Sequence, residues 1–124
     1  LDTALFLHDL TDRTPHKFHM AFPYGYNTSS PKAAGILCSC KKEPYYSLGI
    51  ALVDTPAGNT VRAYNAEKTL CEILKPISHT DIQIITDAFK RYAGRKDKNI
   101  PLLSEYAHQL RVEKRLRPYL EVLL

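Results

Sequence analysis

The spacing of hydrophobic residues divides this chain into two halves. Up to about residue 64, apolar side chains recur near every second position, as in half-buried strands, and beyond it they recur near every 3.6 positions, as in amphipathic helices. The predicted strands are residues 17–22, 36–40, 46–53 and 60–64. The TPAGN turn at 55–59 predicts a hairpin between the last two strands. This order predicts an α+β fold, with a small β-sheet in the first half packed against a helical second half.

The first predicted strand, KFHMAF, has a clear alternation. Phe18, Met20 and Phe22 occupy one set of positions, and Lys17 and His19 occupy the other. Because successive side chains of a strand point to opposite faces, the alternation predicts that the three apolar residues face the core. The segment that follows, YGYNTSSPKAAG, is rich in turn-forming residues and is predicted to be a loop.

Capping residues divide the helical half. Asn65 is the predicted N-cap of the first helix, and Asn99 is the predicted N-cap of the third. Ser78 and Asp81 resemble a capping box at the start of the second helix. The positions predicted to be buried are Leu70, Ile73, Leu74, Ile82, Ile85, Phe89, Tyr92, Leu103, Tyr106, Ala107 and Leu110.

A last helix is predicted to begin near Arg111. Pro118 lies inside it and is predicted to kink it or to divide it in two, because proline lacks an amide donor and clashes with the preceding turn. One face of this helix is apolar at helical spacing and is predicted to be buried. That face consists of Val112, Leu116, Tyr119, Leu120 and Leu123.

Length and composition are those of one ordinary globular domain. The chain has 124 residues, of which 44% are hydrophobic and 24% charged. Its apolar runs are too short to span a bilayer, and its acidic start is unlike a secretion signal. Three cysteines do not make a disulfide framework, so we expect a reducing, cytoplasmic location. Because residue 1 is leucine and an amphipathic segment follows at 3–10, we expect a fragment of a longer protein.

The cysteines and histidines are weak candidates for chemistry. Cys71 as a nucleophile would need a lowered pKa and a nearby base, but its apolar neighbours favour a small buried side chain. Cys38 and Cys40 are too closely spaced for a zinc knuckle and are interpreted as core neighbours. His16 and His19 have no carboxylate at metal-ligand spacing.

A metal-dependent nuclease or nucleotide-processing domain is the alternative function considered. It would use Asp54, Glu67 and Lys68. An acid-x-lysine triplet on a strand would place both charged groups on the same face. Glu67 and Lys68 are adjacent and follow a helix cap, so they do not share a face in this way. They are interpreted instead as solvated charges at a helix start. The scattered glycines give no phosphate-binding loop.

Charge distribution is more informative. Residues 89–118 carry a net charge of +6, and the rest of the chain carries −2. A basic region of this size is typical of a surface that binds an anionic partner, although a merely solvated face fits it equally well. The candidate contact residues for nucleic acid or a protein partner are Arg91, Arg95, Lys96, Lys98, Arg111, Lys114 and Arg115.

Successive blocks of the sequence also resemble one family over nearly the whole chain. The blocks are TALFLHDLTDRTP, PYGYNTSS, TPAGNTVRAYNAEKTLCEIL, DIQIITDAFKRYAGRKDKNI and LLSEYAHQLRVEKRLRPYLEVLL. In order and spacing they resemble the C-terminal domain of AbiEi antitoxins, which belong to bacterial abortive-infection (type IV toxin-antitoxin) systems. Residues 1–124 would then be that domain alone. At Pro118 the chain departs from its relatives, which more often have a basic residue there.

This resemblance implies a function in phage defence. AbiEi proteins are antitoxins and transcriptional autoregulators with no enzymatic activity and no cofactor. An N-terminal winged helix-turn-helix binds operator DNA, and a nucleotidyltransferase-like toxin is counteracted directly or indirectly. The resemblance therefore implies a cytoplasmic, non-enzymatic antitoxin domain without membrane contact.

Overall fold

Strands occupy the first half of the chain and the longer helices occupy the second, which confirms the α+β prediction. The structure is a computed structural model that describes residues 2–15 and 17–123. Its helices are α1 (Asp2–Leu7), α2 (Ser29–Ala33), α3 (Ala66–Leu74), α4 (Ile82–Ala93), α5 (Ile100–Gln109) and α6 (Glu113–Leu123). Its strands are β1 (His19–Pro23), β2 (Leu37–Lys41), β3 (Ile50–Asp54) and β4 (Thr60–Tyr64).

The strands of the described residues form two two-stranded sheets rather than one. β1 and β2 pair in parallel, and β3 and β4 pair antiparallel. A parallel pair needs a crossover connection, and α2 lies within it, in the segment predicted to be a loop. The predicted hairpin is confirmed, since the Thr55 amide donates to the Asn59 carbonyl at 2.7 Å and closes the turn.

The prediction for the face of β1 is wrong. The strand begins at His19, and the side chains of Phe18 and Met20 remain 68% and 46% exposed, while only Phe22 is buried. The alternation identified a strand correctly, but it did not identify which residues a second layer covers. In this fold the buried core consists mainly of helical side chains, so most of this face of β1 faces solvent.

The strand predicted at 46–53 begins later, at Ile50. Residues 44–49 form a turn instead, and they end at Gly49, whose φ of 81° is accessible mainly to glycine. The Gly49 carbonyl accepts a hydrogen bond from the Asn65 amide at 2.7 Å. The 44–49 loop is therefore attached directly to the start of α3.

Two of the predicted helix caps are confirmed. The Asn65 side chain accepts from the Lys68 amide at 2.8 Å, and that of Asn99 accepts from the Leu102 amide at 3.1 Å. The capping box is wrong, because Asp81 is itself the N-cap of α4. Ser78 belongs to a separate 3-10 turn, Pro76–Ser78.

Helix α6 is continuous through Pro118, so the predicted division is wrong. Pro118 is exposed, and water can therefore hydrate the carbonyl that loses its amide partner. The opposite face holds the helix in place, since Leu116 is buried and the Tyr119 ring stacks on Phe89 at 4.5 Å. The helix begins at Glu113, because Arg111 has a φ of 60° and ends the preceding turn.

The core lies between the helices, and α3 is buried along its whole length. Most predicted core positions are confirmed, but Ile82, at the first turn of α4, is 64% exposed. The largest fully buried apolar side chains are Tyr92, Phe89, Leu5, Leu10, Leu70, Ile73, Leu103 and Leu116. α1 adds Leu5 to this core, so the amphipathic segment predicted at 3–10 does pack against the helical half.

We predict that Gly49→Ala destabilises the fold by about 2 to 5 kcal/mol, since it adds overpacking to an unfavourable φ. A Cβ there would lie 2.7 Å from the Lys68 Cβ. Gly58→Ala is the matched control, because Gly58 has a φ of 86° but no atom within 4 Å of the added carbon. It should cost only about 1 to 2 kcal/mol. Urea denaturation of both variants measures the difference, and equal losses would contradict close packing of Gly49 on α3.

Candidate functional site

A basic groove lies at the junction of α5 and α6. It has a volume of about 580 Å³. The side chains that line it are His108, Arg111, Glu113, Lys114 and Arg115. The sequence-predicted residues Arg111, Lys114 and Arg115 are therefore brought together in one place.

The local fold explains this placement. The buried Val112 anchors the turn, and its amide donates to the Ala107 carbonyl at 2.9 Å. Arg111, in the left-handed region, precedes it and is exposed. The first turn of α6 then carries Lys114 and Arg115 on the exposed side of the same junction.

The cations of the groove are largely uncompensated. Within the described residues, Arg111, Lys114 and Arg115 make no ion pair. The acid of the groove, Glu113, pairs instead with His108, whose Nδ1 lies 2.9 Å from its Oε1. The groove can thus accept an anion without first breaking an internal ion pair of its cationic side chains.

The other four predicted contact residues do not line this groove. Arg91 is 3.0 Å from the Asp87 carboxylate, and Arg95 donates two hydrogen bonds of 2.8 Å to Asp97. Those hydrogen bonds raise the pKa of Arg95. Both arginines are already paired with carboxylates.

The two remaining lysines of this set differ from each other. The Lys98 Nζ donates to the Ala93 carbonyl at 2.9 Å and so satisfies the C-terminal end of α4. Lys96 is exposed and has no ion pair among the described residues. The structure therefore brings three of the seven predicted residues together on one surface and places the other four elsewhere.

A buried ion cluster on α3 was missed by sequence reasoning, which predicted solvated charges there. Lys68 has no exposed surface, and Glu72 is only 3% exposed. The Lys68 Nζ donates to the carbonyls of Tyr45 at 2.7 Å and Leu48 at 3.0 Å, and it lies 3.9 Å from the centre of the Tyr64 ring. Burial lowers the pKa of Lys68 to about 8, although the Glu72 carboxylate partly opposes this.

Glu72 is the shared counter-ion of this cluster. Its Oε2 accepts from the Lys41 Nζ at 2.9 Å, and its Oε1 lies 3.5 Å from the ammonium groups of both Lys68 and Lys75. Oε1 has no hydrogen bond, so its interaction with these two groups is electrostatic. Burial alone would raise the pKa of Glu72, but the lysines, Lys41 foremost, outweigh burial and lower it.

The three residues of the nuclease alternative do not meet in one cleft. The Glu67 carboxylate accepts a hydrogen bond from the Tyr92 hydroxyl inside the core. The Lys68 ammonium points instead to the 44–49 loop. Asp54 is exposed at the turn end of the hairpin. The other end of β3, Ile50, pairs with Tyr64 just before α3, and Asp54 lies about 13 Å along β3 from Ile50. The charged groups of Glu67 and Lys68 are therefore both engaged in contacts that hold the fold together.

The three thiols differ in their exposure to solvent. Cys71 is fully buried, and burial raises the pKa of its thiol to about 12, which disfavours the nucleophilic thiolate. Cys40 is exposed and Cys38 is half-buried, so the interpretation of both as core neighbours is wrong. No group of three His, Cys, Asp or Glu residues that could hold a metal ion occurs in 2–15 and 17–123. His16 lies outside the described residues, and His19 is half-buried on β1.

Comparison with known proteins gave no further guide. No protein-family model matches this chain, and no curated protein matches it. Among the described residues, no helix is long and apolar enough to cross a membrane.

We predict that Glu72→Gln destabilises the protein by about 3 kcal/mol near neutral pH, because it leaves the buried Lys68 ammonium without its counter-ion. Glu72 has a lowered pKa in the folded state, so its contribution is present above about pH 4.5 and is lost as the pH falls through the folded value. The variant should therefore lose less stability than the parent on acidification below pH 4.5.

Urea denaturation of parent and variant at several pH values measures both effects. Glu105→Gln is the control, because Glu105 is exposed on α5 and its substitution should change stability by no more than about 0.5 kcal/mol. A Glu72→Gln variant as stable as the parent would contradict a structural role for the cluster.

We predict that a thiol reagent modifies two of the three cysteines in the native protein. Cys40 should react fastest, Cys38 more slowly, and Cys71 only after unfolding in guanidinium, because its thiol is buried and protonated. Mass spectrometry of the modified peptides identifies each site. Rapid modification of Cys71 in the native protein would show that its thiol is accessible and would favour a nucleophilic role for it.

Proposed function

We propose that this chain is a non-enzymatic interaction domain of an AbiEi-type antitoxin and transcriptional regulator, and that it binds an anionic partner at the basic groove. The observation that carries the proposal is that Arg111, Lys114 and Arg115 line one shallow, open groove and make no ion pair with any described residue. The family itself rests on the resemblance of the sequence blocks given above.

The chemistry of the groove suits a carboxylate or phosphate partner. Two arginines can each bind an oxyanion through two parallel hydrogen bonds, and the lysine adds a mobile point charge. Because the three side chains are exposed, their desolvation on binding costs little compared with that of buried charges. Such a surface contributes mainly to orientation and association rate.

The partner we favour is an acidic patch on a nucleotidyltransferase-like toxin in the cytoplasm. In this proposal operator DNA is bound mainly by an upstream winged helix-turn-helix, and the groove would touch at most the phosphate backbone. The domain would need neither cofactor nor membrane. Neutralisation of the toxin, directly or through an assembly, would be its contribution to phage defence.

The groove is tested by reversing its charge in the full-length protein. We expect the combined change Arg111→Glu, Lys114→Glu and Arg115→Glu to reduce toxin neutralisation in cells by tenfold or more, since removing about 1.4 kcal/mol of binding energy lowers affinity tenfold. If the partner is DNA backbone instead, the salt slope of DNA binding should fall by about one unit for each lost phosphate contact.

A charge-retaining variant serves as the control. Arg111→Lys, Lys114→Arg and Arg115→Lys keep all three charges and should preserve most of the activity. Circular dichroism and thermal melting establish that both variants fold like the parent. Unchanged toxin neutralisation and unchanged DNA binding in the folded charge-reversed variant would contradict the proposal.

A further inference from the structure

One face of the parallel sheet carries a row of apolar and aromatic side chains, all of them exposed except Phe22. Along β1 and its flanks, Phe18, Met20, Phe22 and Tyr24 occupy alternate positions, and alternate residues of a strand share a face. Phe18 and Tyr24 are 68% and 70% exposed. The Tyr26 ring stacks on Phe22 at 4.9 Å and remains 53% exposed. We call these five residues the aromatic stripe.

The pairing of β1 with β2 extends beyond the strands themselves and keeps the stripe in order. The Leu37 amide donates to the Phe18 carbonyl at 2.8 Å at one end, and the Tyr24 amide donates to the Lys41 carbonyl at 2.9 Å at the other. Phe18 and Tyr24 are six residues apart, which on an extended strand is about 20 Å. That length accommodates at least about three stacked nucleotides of a single strand.

The chain segment that contains the stripe carries charges of one sign. From residue 13 to residue 42 the sequence contains no aspartate or glutamate. It contains Arg13, Lys17, Lys32, Lys41 and Lys42. The Lys42 Nζ lies 4.9 Å from the centre of the Tyr24 ring, so a cation lies beside the Tyr24 end of the stripe, and Lys17 directly precedes Phe18 in the sequence.

Lys41 is not available to a ligand in the same way. Its ammonium is held by the buried Glu72 on α3, whereas the Lys42 ammonium lies over the Tyr24 ring and makes no ion pair among the described residues. The adjacent residues Lys41 and Lys42 therefore have different roles. Lys41 attaches the sheet to the helices, and Lys42 remains on the exposed face beside the stripe.

We propose that the aromatic stripe binds single-stranded nucleic acid. Every unpaired base presents a flat π surface that stacks on an exposed aromatic ring, and lysines beside the rings neutralise the backbone phosphates. A duplex keeps its bases stacked internally and cannot offer them to Phe18 or Tyr24. An acidic protein surface would use the lysines but would leave the exposed rings without a specific partner. This surface is separate from the basic groove and does not depend on the function proposed for it.

The proposal is tested by fluorescence anisotropy with a labelled twelve-nucleotide oligothymidylate at low salt. The parent chain should bind with a Kd on the order of 10 to 100 µM, as for binding without sequence preference. Phe18→Ala and Tyr24→Ala should each weaken binding about tenfold, the loss of one stacked base. Tyr24→Phe keeps the ring and should bind like the parent.

Leu52→Ala is the matched control, because Leu52 is 74% exposed on the other sheet. It should leave binding unchanged. A duplex of the same length should compete poorly. The chain contains eight tyrosines and no tryptophan, so quenching of tyrosine emission on titration reports stacking in the unmodified protein as well.

Several results would overturn the proposal. These are a parent chain that does not bind the oligonucleotide, equal affinity in Phe18→Ala, Tyr24→Ala and the parent, or equal binding of the duplex. Sedimentation of the parent and the Phe18→Ala variant tests a different occupant, a second copy of the chain. A parent dimer that becomes monomeric in the variant would assign the stripe to self-association and would also overturn it.

Discussion

The burial of the Lys68 ammonium is the interaction on which the rest of this structure depends. A charged group without exposed surface requires acceptors around it, and here they come from different parts of the chain. The 44–49 loop supplies two carbonyls, and β4 supplies the Tyr64 ring. Glu72, one turn further along α3, supplies the counter-charge. The hairpin is thereby fixed to the helical half.

The same cluster also holds the parallel sheet, because Lys41 on β2 is the hydrogen-bonded partner of Glu72. Sheets of two strands are marginally stable alone. In this fold each of them is attached to α3 through a lysine and its acceptors. The close approach of Gly49 to Lys68 belongs to this arrangement, because a larger residue would hold the loop away from the ammonium.

Local signals in the sequence predicted much of the fold. The caps at Asn65 and Asn99 and the turn at 55–59 depend on atoms within about four residues, so they can be recognised without tertiary structure. The burial of Lys68 could not be recognised in this way. Its carbonyl acceptors lie 20 and 23 residues away, and charged residues at a helix start are usually solvated.

The candidate surfaces show a similar limit. A count of charges over 89–118 found the groove residues, but it could not separate them from Arg91 and Arg95, which are paired in the structure. Both partners, Asp87 and Asp97, are close enough in sequence to have been anticipated. The same count gave the rest of the chain a net negative charge. That sum did not show that segment 13–42, which belongs to the rest of the chain, contains no acidic residue. The alternation in β1 predicted its two faces, but not which of them the helices leave exposed.

We propose that the groove at the α5–α6 junction contacts a protein partner. Hydrogen exchange of the chain with and without a nucleotidyltransferase-like toxin tests this contact directly. The first amides of α6, at Glu113 and Lys114, have no intrahelical acceptor and should exchange rapidly in the free chain. We expect these amides to become protected from exchange when the partner is added. Formation of a complex with unchanged exchange over residues 108–115 would contradict it.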